Sequence, residues 1–492
     1  MKYFELVKEK LSSLWPMWLV IMFVAFWSVY IQDGQINRDG LLYLKQAYLI
    51  AEGDWKEGLA RYPWPFFSIL IAVFYKLTNL HLQVVAHGVD IALFGIAAWF
   101  YLKTLQLIHN KERNIIFYGG IILLSFTPIM DDYVGMVLRD HGLWAGCMMG
   151  TYFYFKNHKE YSLKNSITWQ FGFLFAGLFR PEGLVILVLL PLWNLTNNSF
   201  QKLNRLVLDY SLSIFLVILS LFAIFLLNVD LMNAISSSRL TEFLNRPVQF
   251  LNQLVKPLPI KTDNEYLSDL FENYSLIITY AVLLSVLFFK WIKGLGLLHG
   301  GLFFYSFFLK KIALNNFQKH IYFFLTVSFI LVTVNLFNVY VLTNRYWGFH
   351  WWWALILISN FIKIIFDNEK VIQKFNLQKI LYIICFLLIL NTLVDSDSKT
   401  INYKEASNFL ISQKISNSAK YINSDRLAYY SGVSLNDLIR SEQLGYENFE
   451  YIVVLKNVDE KLDFTNYNYY SLYSKFVLGN NNLYILKKTF KD

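Results

Sequence analysis

Charge is scarce in this chain. Of its 492 residues only 16% are Asp, Glu, Lys or Arg, while 56% are hydrophobic and 18% aromatic. Soluble domains carry about 25% charged residues, so the deficit excludes an ordinary string of soluble domains, although the length would hold about three. Cysteine is nearly absent. The two present, Cys147 and Cys385, both fall inside apolar runs, which argues against a structural disulfide or a thiolate metal site. No A-x-A-like cleavage site follows the first apolar run, so that run reads as a retained span rather than a cleaved leader. Walker A and Rossmann fingerprints are missing, and no nucleotide site or other cofactor is expected. There is no internal repeat and no low-complexity tract. The lack of pseudo-symmetric halves counts against many transporter folds. The net charge of +9 is spread between apolar runs. It fits cytoplasmic loops of a membrane protein and is no footprint of a nucleic-acid partner.

What is abundant is apolar sequence in runs. A spanning helix needs roughly 20 mostly apolar residues. The first such run is Leu14–Ile31, preceded by Lys2, Lys8 and Lys10. The positive-inside rule then puts the N-terminus in the cytoplasm and the next loop outside. Further spans are read at Val84–Ile108, Ile115–Met130, Gly142–Phe155, Ile167–Phe179, Leu184–Trp193 and Leu208–Leu227. Others follow at Ile321–Leu342, Trp347–Ile365 and Ile380–Leu393. Pro65–Leu77 is too short to cross and is expected on the outer surface. Leu276–Leu309 is split by Lys290 and Lys293. Charge bias there favours one crossing plus a surface or re-entrant piece; two crossings would put Arg345 inside. A long polar outer loop is expected over 228–273. The expected fold is an all-α polytopic membrane domain over residues 1–394, with about eleven crossings and outer surface helices in its first loop. A small extracytoplasmic α/β domain is expected over 395–492. It combines helical stretches (Glu405–Gln413, Leu435–Gln443), strand-like ones (Tyr451–Leu455, Leu483–Lys487) and a hairpin signal at Gly479–Asn482. The localisation that follows is an integral membrane protein, of a bacterial inner membrane.

Residues 31–67 form the polar stretch that stands out. They hold Asp33, Asp39, Glu52 and Asp54, then Arg61 beside Pro63-Trp64-Pro65. Asp39 to Glu52 reads as a helix, capped by Asn37 or Asp39 and ended by Gly53. A carboxylate at a helix N-terminus stays ionised. Asp39 therefore suits a general base, or a group stabilising a cationic sugar-like transition state. The plainer reading is that it only caps the helix. Asp33 is the competing carboxylate, at the end of the first span. A second cluster is Asp131, Asp132, Arg139, Asp140 and His141. Arg139 and Asp140 are either a buried ion pair fixing helix packing or groups that meet substrate. Asp131 and Asp132 read as solvated and as a weak metal signal, and His141 as lone and structural. In Arg180-Pro181-Glu182-Gly183 the arginine either forks onto a phosphate or closes the turn with Glu182. Arg61 and Arg345 are further phosphate candidates, with snorkelling as the alternative. The aromatic run Phe349–Trp353 reads first as an interfacial belt and second as a sugar-stacking surface. Charged groups at span ends face a cavity or one another. In this topology all these clusters fall on the outer side, where one shared site is expected.

At these residues the chain resembles the family 39 type of membrane glycosyltransferases with the GT-C fold. That group includes the protein O-mannosyltransferases, the aminoarabinose transferase of lipid A and many bacterial relatives. The residues carrying the resemblance are Asp39 in NRDGLLYLKQAYLIAEGDW, Arg61-Tyr-Pro-Trp-Pro65, Arg139-Asp140, Phe179-Arg-Pro-Glu-Gly-Leu184 and Asn344-Arg-Tyr346, in the family's order and across most of the chain. The resemblance implies sugar transfer from a polyprenyl-phosphate donor to a glycan, lipid or protein acceptor, at the outer face and in contact with membrane lipid. It matches Asp39 to the first-loop catalytic carboxylate. It sets Arg61 where a Lys before a Pro-Pro pair helps bind lipid phosphate, and Arg345 at a late basic residue near that phosphate. Asp140 joins Asp39 as a catalytic candidate, and Arg139, Arg180, Glu182 and Tyr346 join the substrate-binding set. The chain departs from the family in three places. Gly40 replaces a second acid, Trp64 interrupts the Pro-Pro pair, and an aromatic run follows Arg345. Two other readings compete: a polymerase or ligase of lipid-linked glycans, and a non-enzymatic transporter or flippase. A transporter would place its charges nearer the membrane midplane and use broken helices.

Overall fold

The computed structural model describes residues 10, 12–31, 36–62, 64–110, 112–195, 202–216, 218, 245, 248–252, 265–308, 317–367, 377–394, 403–457, 462, 467, 469–478 and 481–489. Asp33, about two thirds of the expected 228–273 loop and the second half of the expected 208–227 span lie outside them, and a helix begins at Glu265, inside the expected loop.

In chain order the helices are α1 Leu14–Ile31, α2 Arg38–Ala51, α3 Trp55–Arg61, α4 Phe66–Thr78, α5 Leu82–Ile108, α6 Asn114–Leu124, α7 Thr127–Met130, α8 Asp140–Lys159, α9 Leu163–Phe179 and α10 Glu182–Leu195. Then come α11 Lys202–Asp209, α12 Glu265–Phe308, α13 Gln318–Val339, a 3-10 turn Asn344–Trp347, α14 Gly348–Asp367 and α15 Leu377–Val394. Among the described residues, four helical stretches are long and apolar enough to cross a membrane: Leu14–Ile31, Leu82–Ile108, Tyr274–Ser306 and Gln318–Val339. Shorter apolar helices include Phe66–Thr78, Asn114–Leu124, Glu182–Asn194 and Lys379–Val394. Helix α12 runs through Lys290 and Lys293, where the sequence reading split the segment; its non-helical residues are Tyr274 and Gly296, the latter with a φ of 67° and ψ of 175° that only glycine adopts freely.

The chain divides into two compact units. The first comprises residues 1–30, 63–67 and 87–394, and the second 31–62, 68–86 and 395–492.

In the first unit, α8 and α9 lie against each other at backbone distance. Gly142, Gly146 and Gly150 recur every fourth residue on α8. A Cβ on Gly146 would collide with the backbone of Ala176, and one on Gly172 with the backbone of Gly150. Small residues at four-residue spacing are the usual means of such close helix contact in membranes. The contact brings the start of α8 beside the end of α9. The aromatic run at the start of α14 is core, which corrects both readings of it above. Trp351, Trp352 and Trp353 are fully buried. Trp353 stacks on Phe324 at 5.0 Å and donates to Thr151 Oγ1 at 3.0 Å, and Trp352 packs on Phe94, Tyr101 and Trp144.

In the second unit, residues 403–489 supply α16 Tyr403–Ser412, α17 Asp425–Tyr430 and α18 Leu435–Gln443, with strands β1 Ala419–Ile422, β2 Tyr451–Asn457, β3 Tyr470–Leu478 and β4 Asn481–Lys488. The sheet order is β1-β2-β4-β3, with β1 parallel to β2 and the other pairs antiparallel. Leu478 pairs with Asn481, so the chain reverses at the run read as a hairpin; residues 479 and 480 are outside the described set. Alternation along β2 and β4 sends Val453, Leu483 and Ile485 to a core with Ala406, Leu410, Leu427 and Leu438, and Ile452, Val454 and Leu486 to the opposite face.

Candidate active site

The sequence candidates fall in both units. In the first, the turn between α9 and α10 carries Arg180 and Glu182. Arg180 Nη2 donates to Glu182 Oε1 at 2.6 Å and Nε to Glu182 Oε2 at 3.3 Å, while Nη1 donates to Asp140 Oδ1. All three residues are buried. Arg180 is thus a fork filled by two carboxylates, held by the close α8–α9 contact that sets Asp140 opposite it. The aromatic ring of Tyr346, in the 3-10 turn before α14, lies under two cations, with Arg180 at 5.1 Å and Arg345 at 5.6 Å from its centroid. The charges of Arg345 and Arg139 also bear on Asp140, and Arg139 Nη1 caps the end of α9 by donating to Phe179 O at 3.3 Å. Asp140, Arg180, Glu182, Arg139, Arg345 and Tyr346 therefore form one cluster, assembled from three distant parts of the chain. Trp64, which interrupts the Pro-Pro pair, donates to Gly177 O at 3.0 Å, less than one turn before Arg180.

His141 is not lone. Its Nδ1 donates to Asp90 Oδ1 at 2.7 Å, and the Leu138 amide donates to Asp90 Oδ2 at 2.9 Å. Both side chains are fully buried, His141 packs edge-on to Trp144 at 4.7 Å, and its Nε2 has no hydrogen-bond partner among the described residues. Asp90 escaped notice in the sequence. The signal was there: an isolated carboxylate inside an apolar span is expensive and is a functional-site hypothesis by default.

In the second unit, Asp39 lies in the first turn of α2, partly exposed, one residue inside the helix and not at its cap, which is Asn37. The neighbouring acids have local structural work. Asp54 caps α3 by accepting from the Glu57 amide at 3.1 Å, and Glu52 pairs with Lys76 at 3.3 Å. Gly53, with φ of 91°, ends α2, as the sequence suggested. Arg61, at the end of α3, donates from Nη2 to Glu57 at 3.3 Å and from Nη1 to Glu442 Oε2 at 3.0 Å, and its buried Nε has no partner among the described residues. Gln46 ties α3 to α2 by donating to Gly58 O at 2.8 Å and Tyr62 O at 2.7 Å. Sequence reasoning also missed Lys45. It is a nearly fully buried lysine on α2, paired with Asp425 and Glu442 at 2.7 Å each. Among the described residues no group of three or more His, Cys, Asp or Glu is placed to hold a metal ion.

No protein-family model matches the chain, and no curated protein matches it. Among solved structures it is similar to the crystal structure of ArnT from Cupriavidus metallidurans in the apo state, with 11% sequence identity and a TM-score of 0.40 over 96% of this chain and 98% of that one. A similarity of that size assigns neither an activity nor any site residue.

Proposed function

We propose that the chain is a GT-C-type membrane glycosyltransferase that moves a sugar from a polyprenyl-phosphate donor to a glycan, lipid or protein acceptor. In this reading residues 1–394 are the membrane domain, 31–67 its catalytic loop and 395–492 an extracytoplasmic domain. The N-terminus is cytoplasmic and the transfer takes place at the outer face of a bacterial inner membrane.

The observation that carries the reading is the gathering of Asp140, Arg180, Glu182, Arg139, Arg345 and Tyr346 into one ionic cluster, whose centre, Asp140, Arg180 and Glu182, is buried. A chain this poor in charge does not bury a guanidinium with two carboxylates, and set two half-buried guanidinium groups beside them, without a use or a heavy structural need. In the proposed reaction Asp39 takes the proton of the acceptor hydroxyl, whose oxygen bonds to the anomeric carbon. The bond from that carbon to the phosphate oxygen breaks, and the electron pair leaves with the polyprenyl phosphate. Negative charge grows on the leaving phosphate, and Arg61 and Arg345 are the cations assigned to it. Of the two roles the sequence left open for Arg180, the pair that closes the turn with Glu182 is the one adopted. The Arg180 fork is already filled, so it holds Asp140 and Glu182 in place.

The test is sugar transfer by the purified full-length protein, with the product found by mass spectrometry of envelope glycans and lipids from cells with and without the gene product. Asp39→Asn is expected to lower transfer by about 100-fold or more, the usual size of a lost general base. Transfer at the wild-type rate would remove Asp39 from the mechanism.

A further inference from the structure

The contacts that join the C-terminal segment to the first loop inside the second unit are ionic and specific. Lys45 stands on the buried face of α2, 3% exposed. Its Nζ donates to Asp425 Oδ2 and to Glu442 Oε1, each at 2.7 Å. Asp425 is the first residue of α17, and Glu442 is the penultimate residue of α18. The second oxygen of Glu442 takes Arg61 Nη1 at 3.0 Å. A single carboxylate thus bridges α2 and the last residue of α3. Two further bonds follow the same seam: the Ile36 amide donates to the Tyr430 hydroxyl, and the Tyr429 hydroxyl donates to Gln83 Oε1 at 3.1 Å.

A lysine ammonium is kept out of water only where acceptors replace its hydration. Among the described residues, those acceptors come from the far end of the chain, 380 and 397 positions away. Lys45 lies six residues after Asp39, about 9 Å along one rigid helix, so what fixes Lys45 fixes the axial position of Asp39.

We propose that Asp425 and Glu442 are positioning residues for the first loop: they clamp α2 through Lys45 and orient Arg61 through Glu442. This gives the C-terminal domain its role, which is to set the place of two groups it does not itself contain. The inference rests on the reading of Asp39 and Arg61 as reacting groups. Neither Asp425 nor Glu442 is assigned a contact with substrate.

Two measurements on the full-length protein in detergent test it. In the first, amide hydrogen exchange is followed across residues 36–62 in the wild type and in the Asp425→Asn/Glu442→Gln double variant. Exchange across α2 and α3 is expected to rise on the order of tenfold, because the helices lose their anchor, while β2, β4 and α8–α10 exchange as before. The Asp425→Glu/Glu442→Asp double variant, which keeps both charges, is expected to return exchange most of the way. Unchanged exchange across α2 and α3 in the neutral double variant overturns the proposal. Should that variant not fold, the single variants, each leaving Lys45 one carboxylate, are expected to give smaller rises in the same helices, and no rise in either overturns it. In the second measurement, Glu442→Gln is expected to raise the KM for a polyprenyl-phosphate sugar severalfold through misplacement of Arg61. Simple loss of folded protein would lower the apparent kcat and leave KM unmoved, and that result counts against positioning. A wild type that transfers no sugar would sink the transferase reading, while the exchange measurement would still decide whether the clamp exists.

Discussion

Among the described residues each unit holds an ionic network of three or more charges, and the two are built on opposite terms. In the first, Arg180, Asp140 and Glu182 are all withdrawn from solvent, with side chains 6%, 2% and 11% exposed. In the second, Lys45 is as deeply buried, but its carboxylates, Asp425 and Glu442, are 43% and 41% exposed. Both networks satisfy their charges, yet they respond differently to loss of a partner. A withdrawn ion cannot recover hydration when its partner is removed, and most of the penalty comes from the charge left behind. A carboxylate at the edge turns to water and loses little. The first network therefore loses heavily whichever member is removed, while the second loses little when one carboxylate goes and heavily only when Lys45 is left with neither.

The largest effect expected from breaking this contrast is at Arg180. Arg180→Met leaves Asp140 and Glu182 facing each other without their shared cation and is expected to cost about 3–5 kcal/mol, read as a fall in the unfolding temperature of the purified protein. Arg180→Lys should recover only part of it, since an ammonium lacks the fork that serves both carboxylates. A neutral Arg180→Met would erase the distinction between the networks. Next is Asp90→Asn, which leaves one acceptor oxygen where two serve His141 and the Leu138 amide. The expected cost is about 1–3 kcal/mol in the same unfolding assay, and a wild-type unfolding temperature would show that the Asp90–His141 pair is idle.

The smallest effect belongs to Glu442→Gln, at about 1 kcal/mol or less for so exposed a partner, and it should shrink further in 1 M salt, where the screening length is about 3 Å. Its pH dependence has a definite sign. Burial pushes the Glu442 carboxyl up, but the Lys45 hydrogen bond and charge, together with the charge of Arg61, outweigh it and hold the group below the usual carboxylate value. Because the folded value lies below the unfolded one, the contribution is complete at neutral pH and is lost as pH falls through the folded value. The stability difference between wild type and Glu442→Gln should therefore vanish on acidification. A difference that persisted in acid would show that Glu442 acts by shape rather than charge.

Much of the local architecture was readable in advance. The helix expected over Asp39–Glu52 runs from Arg38 to Ala51, the expected Leu435–Gln443 helix has those bounds, and the strand expected over Tyr451–Leu455 extends to Asn457. Caps, breakers and alternation act within a few residues, so the chain carries them openly. The span read at Ile115–Met130 breaks into α6 and the short α7 because the Ser125-Phe126 step, with Pro128 just beyond, interrupts the helix. The aromatic run 349–353 was misread because burial of tryptophan by protein and burial at a lipid interface leave the same mark in composition.

The candidate site was legible as a set of residues but not as a set of partnerships. Arg180 with Glu182 is a local pair, two residues apart, and its alternatives could be written down. The addition of Asp140 depended on how closely α8 and α9 approach, which the four-residue glycine spacing on α8 permits and the glycines and alanine of α9 complete. His141 found Asp90, 51 residues away, and Lys45 found two carboxylates nearly four hundred residues away. Hydropathy, charge distribution and local periodicity therefore established a membrane-type chain, the position of most helices and the residue types available for chemistry. Which charge meets which was settled only on folding, because the free energy of an ion pair depends on distance and on exclusion of water, and neither is a property of residues taken one after another along the chain.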